Sequence, residues 1–413
     1  MTRSIILALM ALLCLNVKAE KEEKRAVCVK NAFIIDMLSN QPAQKGSVLI
    51  VNGKIHKISY KEGIKIPKSA EVIEAEGKYL MPGLIDAHVH VTTGKHESEE
   101  ALRMYSEDLL KKMLRGGITS VRDVGGKGYM LKKLKAKSAK FEIEAPKIYY
   151  SAFFAGPSYY EQRKDKDFDA CTQAVDETTN VQEAMAKAKN AGASGVKLYA
   201  AINPDLLREL AQEAKKQGMG VWGHATVMSA KPMDAVNAGM EVMSHAEMLK
   251  WEQCPDLSMS MFDNYGKYYG KFKFDFPELD RLFEKMKEKN VILDATCYHG
   301  TVNGLKEAAI FTKKAHKMGV KVAAGTDYLG DQPLPYIHDE LETFVKHCDF
   351  TPYEALRSAT VIAAETFKKQ NEIGTIEKGK IADLLLLNSN PLENISNTKD
   401  IHTVIKEGVI YKK

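Results

Sequence analysis

Cysteine is scarce in this chain of 413 residues: there are six, with no C-x-x-C pair among them. Cys14 sits in an N-terminal apolar run. The other five (Cys28, Cys171, Cys254, Cys297 and Cys348) are scattered and odd in number, which leaves at least one thiol unpaired and any disulfide pairing open. A chain this long needs no staples, so the cysteines read as structural. Long apolar runs are missing after the N-terminus, which excludes a membrane span in the mature chain. An excess of one charge is missing too. The formal net charge is +5, and lysines alternate with acids, as in "AQEAKKQGMG". That pattern describes solvated helix faces and excludes a nucleic-acid footprint.

What is present is an ordinary globular profile, 45% hydrophobic and 27% charged, in a chain long enough for one large domain with an attachment. The opening "MTRSIILALMALLCLNVKAEKEEK" carries Arg3, an apolar run from Ile5 to Val17, and Ala19 before a charged stretch. This is the layout of a signal peptide over residues 1–19, and it predicts export to the periplasm or the medium. Lipid attachment at Cys14 is disfavoured, because Leu13 stands where a small residue belongs.

"AVCVKNAFIIDM" and "KGSVLIVNGKIHKISY" alternate as short strands with a turn at Asn52-Gly53, and "GKIADLLLLN" and "IHTVIKEGVIYKK" repeat that texture at the C-terminus. Residues 20–79 and 366–413 are therefore expected to pair into one small β-sandwich. Across residues 80–365, eight β-branched runs alternate with helical patterns: "GLIDAHVHV", "ITSVRDVG", "KIYYSAFF", "GVKLYA", "MGVWGHAT", "MEVMSHAE", "NVILDATCY" and "KVAAGTDY". The α/β class this predicts is a (β/α)8 TIM-like barrel. The rival, an open doubly wound sheet, wants a glycine-rich phosphate turn after its first strand, and there is none.

Metal-capable side chains recur at the ends of these runs. His88 and His90 lie two apart on the first, and so share a face. Lys197, His224, His245 and Asp327 close the fourth, fifth, sixth and eighth. A closed barrel brings such strand ends to one mouth. Each group alone has a bland reading, for example a helix-cap histidine at His245 or a lysine reaching water at Lys197. Six together point to divalent metal, since imidazole and carboxylate suit zinc and related ions.

With "PGLIDAHVH", "GITSVRDVGG", the Lys–His–His–Asp series and "IGTIEKGKIADLLLLNSNP", the chain resembles the amidohydrolase superfamily, and within it the imidazolonepropionase-like and prolidase-like branch. The resemblance implies a metal-dependent hydrolase of C–N bonds, a dipeptidase among its options. It implies two divalent ions, zinc first, with manganese, iron and cobalt open. His88, His90 and Asp327 would hold one ion and His224 and His245 the other, bridged by Lys197 as a carbamate. The chemistry agrees. An ammonium has no lone pair to give, whereas carbon dioxide added to the neutral amine supplies two oxygens able to span two ions. Asp327 is then the expected general base and acid beside the activated water.

Tyr199, on the face of Lys197, is expected to donate to a substrate carbonyl or to line the mouth as an aromatic. Tyr159, with Tyr160, is expected at the pocket rim, and His299 and His338 as substrate contacts, His338 alternatively as a supporting loop histidine. Arg122 and Asp123 are expected to form a buried ion pair that stiffens the barrel. The stretch 250–275, aromatic and basic, is expected to form a lid. Dipeptidase relatives carry Gly-Gly-His after the third strand to hold a carboxylate, where this chain has "AGPSYY" with Arg163 and Lys164 nearby. The partner expected is a small-molecule substrate, and a homo-oligomer stays open. Rival functions are a cyclic-amide or imidazolone-type ring hydrolase or deaminase, an esterase or lactonase, and a non-catalytic binding protein. Deaminase-type relatives lack the strand-four lysine, and a decayed site would lack ligands.

Overall fold

The computed structural model describes residues 25–61, 63–161, 168–304, 306–327 and 335–412. The leader read over residues 1–19, and Arg163 and Lys164, lie outside them. Five strands come first: β1 (Ala26–Ile34), β2 (Gln44–Val51), β3 (Lys54–Ser59), β4 (Glu71–Glu74) and β5 (Tyr79–Pro82). Next are β6 (Leu84–Val89), β7 (Ile118–Asp123), β8 (Lys147–Ala155), β9 (Thr172–Ala174), β10 (Gly195–Leu198), β11 (Gly220–His224), β12 (Val242–Ser244), β13 (Ile292–Asp294) and β14 (Val322–Ala323). β15 (Leu384–Leu387), β16 (Ile401–Lys406) and β17 (Val409–Lys412) end the chain.

Strands β6, β7, β8 and β10 to β14 pair in parallel in that order, with β9 a side strand on β8. The circle closes where Ala87 N–H, on β6, donates to Ala324 O beside β14 at 3.0 Å. The eight match the eight runs read from the sequence. Most are buried throughout, GVKL in β10 and ILD in β13 for instance, as expected of parallel strands covered by helices. The helices follow their local signals. Asn203 caps Pro204–Lys216 by accepting Leu206 N–H, proline occupies the first turn, and Gly218 follows at φ 75°.

The second sheet runs β17-β16-β15-β5-β1-β2-β3, with β4 on β1, so it takes strands from both ends of the chain. The turns Asn52-Gly53 and Glu407-Gly408 each have two successive positive φ values, the geometry of tight hairpins. They meet through Ala382, whose N–H donates to Gly53 O at 2.8 Å and whose carbonyl accepts from Gly408 N–H at 3.4 Å. β5 pairs antiparallel with β15, so Tyr79–Pro82 belongs wholly to this sheet and the barrel starts at Leu84 instead of residue 80. The architecture is thus α/β, a TIM-like barrel with a small sheet domain.

The stretch 250–275 departs from the expected lid. Trp251 packs on Tyr265 and Phe272 with ring centroids 5.0 and 4.9 Å apart, and Lys250 pairs with Glu307 at 2.7 Å. The segment closes on its own aromatic cluster, and none of its residues lines the mouth cavity described below. No helix among the described residues is long and apolar enough to cross a membrane.

Candidate metal centre

His88 is the penultimate residue of β6 and His90 follows the strand. Asp327 arrives just beyond β14, its N–H donating to His88 O at 2.9 Å. His88 Nε2 lies 3.4 Å and His90 Nε2 3.1 Å from Asp327 Oδ1. Together the three residues place one ligand atom each within 4.8 Å of one another. His245 Nδ1 is 3.7 Å from Asp327 Oδ2, and the His245 ring lies 4.7 Å from that of His224. Lys197 is fully buried in β10, aligned with Trp222 and Phe153 on the neighbouring strands.

The backbone is strained at this mouth. Asp327, His245 and Thr296 have φ values of 47°, 72° and 44°, conformations that cost on the order of 1–3 kcal/mol each. Thr296 is β-branched, which makes its left-handed backbone the least expected, and its hydroxyl lies 2.9 Å from His245 Nδ1. The strain is held by the surrounding structure and fixes the side chains that face the cavity.

Protonation follows from position. Burial pushes His88 down to about 4 and Lys197 down to about 7, and it holds His224 and His245 well below the usual histidine range. Burial would also lower His90, but the hydrogen bond and charge of Asp327 outweigh it and the net shift is upward. Burial opposes ionisation of Asp327. His88, His90 and His245 outweigh it, so the carboxyl lies well below the ordinary range.

Asp294 sets the tautomer of His88. Its Oδ2 accepts from His88 Nδ1 at 2.6 Å, Arg122 Nη2 at 2.7 Å and Ser244 Oγ at 2.8 Å, all buried. With Nδ1 protonated, His88 Nε2 carries a lone pair and faces an anionic carboxylate oxygen with no hydrogen bond between them. Two electron-rich atoms held at 3.4 Å, the histidine fully buried, call for a cation. His224 Nδ1 and Lys197 Nζ are likewise buried without a hydrogen-bond partner among the described residues. The donor set therefore fits a metal. Gly325 permits the close approach of β14, since a Cβ there would sit 2.4 Å from Asp294 Oδ1 and 2.6 Å from His88 Cβ.

Other expected contacts divide. Tyr199 and Tyr159 line a cavity of about 550 Å³ together with His90, His224, His245 and Asp327, and His299 Nε2 lies 3.9 Å from Asp327 Oδ2. His338 must be corrected. It is fully buried in the helix Ile337–His347, with Nδ1 2.9 Å from Thr398 Oγ1 and Nε2 2.9 Å from Gly116 O. Both ring nitrogens are engaged at the end of the barrel away from the mouth, because Gly116 precedes β7. The Arg122–Asp123 pair is also corrected. Arg122 turns to Asp294 and to Ala87 O, while Asp123 accepts backbone N–H groups from Val91, Gly125 and Gly126. Asp294 itself went unread in "NVILDATCY". Its signal was an acid inside an apolar run, at the strand end facing His88.

A parallel eight-stranded barrel with a histidine–aspartate cluster at its mouth defines a barrel protein with a candidate metal centre where such barrels carry their active sites. Residues 79–411 match the family described as the amidohydrolase family, and the chain belongs to it. An imidazolonepropionase of Geobacillus sp. (strain WCH70) is 25% identical over 394 residues, covering 90% of this chain and 91% of that protein. An Xaa-Pro dipeptidase with bound methionine superposes with a TM-score of 0.75 at 20% identity, covering 94% of this chain and all of that one. A. niger ochratoxinase gives 0.75 at 19% identity, covering 95% and 96%. The chain is a hydrolase of C–N bonds.

Proposed function

We propose that the protein hydrolyses an amide or peptide-like bond in a dipeptide or N-acyl amino acid, using a binuclear centre. His88, His90 and Asp327 would hold one ion, His224 and His245 the other, and Lys197, as a carbamate, would bridge them. Zinc is the ion proposed first. Ions bound there would supply a nucleophile at neutral pH and polarise the scissile carbonyl. The observation carrying this reading is the juxtaposition of His88 Nε2 and Asp327 Oδ1 at 3.4 Å, together with the buried amine of Lys197, which has no hydrogen-bond partner among the described residues. Burial favours the neutral amine that carbamate formation requires.

The remaining roles belong to the chain's own groups. Asp327, a carboxylate at the cavity wall, takes a proton from the attacking water and returns it to the leaving nitrogen. Tyr199, its ring 4.0 Å from that of His224, would donate a hydrogen bond from its hydroxyl to the developing oxyanion. Asp294 keeps His88 in the tautomer that offers Nε2.

A second reading, opening of a cyclic amide, is favoured by the imidazolonepropionase relatives. Lys197 speaks for the first. Assaying the zinc-loaded protein against dipeptides, N-acyl amino acids and cyclic amides separates the two. Turnover of linear amides is expected, and turnover of cyclic amides alone would overturn the proposal in favour of ring opening.

A further inference from the structure

The wall of the cavity next to Lys197 is aromatic. Phe153 stands in register with Lys197 on the adjoining strand β8. Its ring centroid lies 4.6 Å from that of Tyr199 and 5.8 Å from that of Tyr159, and Tyr159 and Tyr199 are 4.9 Å apart. These three rings form one mutually touching triangle. The inner corner is Tyr199 against the metal-site histidine His224. The outer corner continues through Tyr160, 5.1 Å from Tyr159, to Phe168, 4.7 Å from Tyr160. All five line the same cavity, so the wall runs unbroken from the reacting centre to the rim.

The origin of the wall is local. The segment "FFAGPSYY" turns at Gly156, whose N–H donates to Ala200 O at 2.9 Å, and this fastens the end of β8 to the loop after β10. The turn leads into the short helix Pro157–Glu161, which presents Tyr159 beside Tyr199. Aromatic rings attract other rings in offset or edge-on geometry at centroid separations of about 4.5–7 Å, the spacing this triangle already uses. A flat apolar group entering the cavity meets ring faces and edges along its whole depth. A small side chain would leave that surface wet.

We infer that the substrate carries an aromatic side chain next to the scissile C–N bond, and that Phe153, Tyr159 and Tyr199 form the subsite that selects it. This rests on the linear-amide reading above and narrows it. The specificity-determining pair open to mutation is Phe153 and Tyr159, because Tyr199 also carries the proposed oxyanion role.

Two measurements on the full-length, zinc-loaded protein test the inference. The first is binding by calorimetry, with N-acetyl-L-phenylalanine and N-acetyl-L-alanine as probes. The aromatic probe should bind tighter by about tenfold, the size of an added aromatic contact. Equal affinities would overturn the subsite whether or not either probe is hydrolysed, so a failure of the linear-amide reading stays separate. The second is the ratio of kcat/KM for Phe-Ala and Ala-Phe over Ala-Ala. At least one aromatic dipeptide should exceed Ala-Ala, and Tyr159→Leu and Phe153→Leu should each shrink that ratio several-fold while zinc content stays at the wild-type level. Retention of the full ratio by both variants would overturn the assignment, as would a stronger preference for Lys-Ala or Ala-Lys, whose cations ring faces also attract.

Discussion

Asp294 Oδ2 lies 2.6 Å from His88 Nδ1, and both side chains are fully buried. The same oxygen accepts from Arg122, whose guanidinium rests 4.9 Å over the Trp222 ring. One carboxylate thereby orients a metal-site histidine and neutralises a buried cation. Asp294→Asn keeps the shape and removes the charge. Metal affinity should fall by about 10–100-fold, the usual cost of losing a carboxylate behind a ligating histidine. Arg122 is left buried without its counter-ion, so stability should drop by about 3–5 kcal/mol. Zinc competition with a chelator and denaturant titration read the two effects, and an affinity within twofold of wild type would refute the orienting role.

The same residue gives a pH dependence. Burial would raise the Asp294 carboxyl, but His88, the hydrogen bond from it, Arg122 and Lys197 outweigh burial and hold it at about 2. Its folded pKa therefore lies below the ordinary aspartate value of about 3.9. The resulting stability is fully present above about pH 4 and is lost as pH falls through about 2, an amount on the order of 2 kcal/mol. Metal-free wild-type protein should lose that much more stability than Asp294→Asn between these limits. Parallel acid profiles for the two proteins would contradict the assignment.

The barrel was readable because its strands are short apolar runs that alternate with helical patterns, some with a legible start, as Asn203 and Pro204 show. The convergence of His88, His90 and Asp327 was readable because strand ends meet in any such barrel, whatever the loops do. Pairings across the barrel were not. Arg122 was expected to take its neighbour Asp123, but successive residues of a strand face opposite ways, and the guanidinium reached across the barrel to Asp294. His338 was misplaced for a related reason. It stands eleven residues after Asp327, and only the packing of its helix shows that the ring points to Thr398 and Gly116, away from the mouth. The segment 250–275 has the composition of a lid, yet Trp251 gives its aromatics a partner of their own.

Lys197 separates the binuclear proposal from its single-metal rivals. Lys197→Ala would remove the bridging oxygens and a negative charge from between two cations. The second ion should be lost on dialysis, and kcat should fall by about 10³-fold or more. A short carboxylic acid such as propionate, added to the variant, should restore part of the activity. Full metal retention with no rescue would mean that Lys197 is not a bridge.

The central claim is a two-ion centre, and elemental analysis tests it most directly. Protein purified without chelators and exchanged into metal-free buffer should contain about two divalent ions per chain while fully active. Full activity at one ion per chain or fewer would contradict the account.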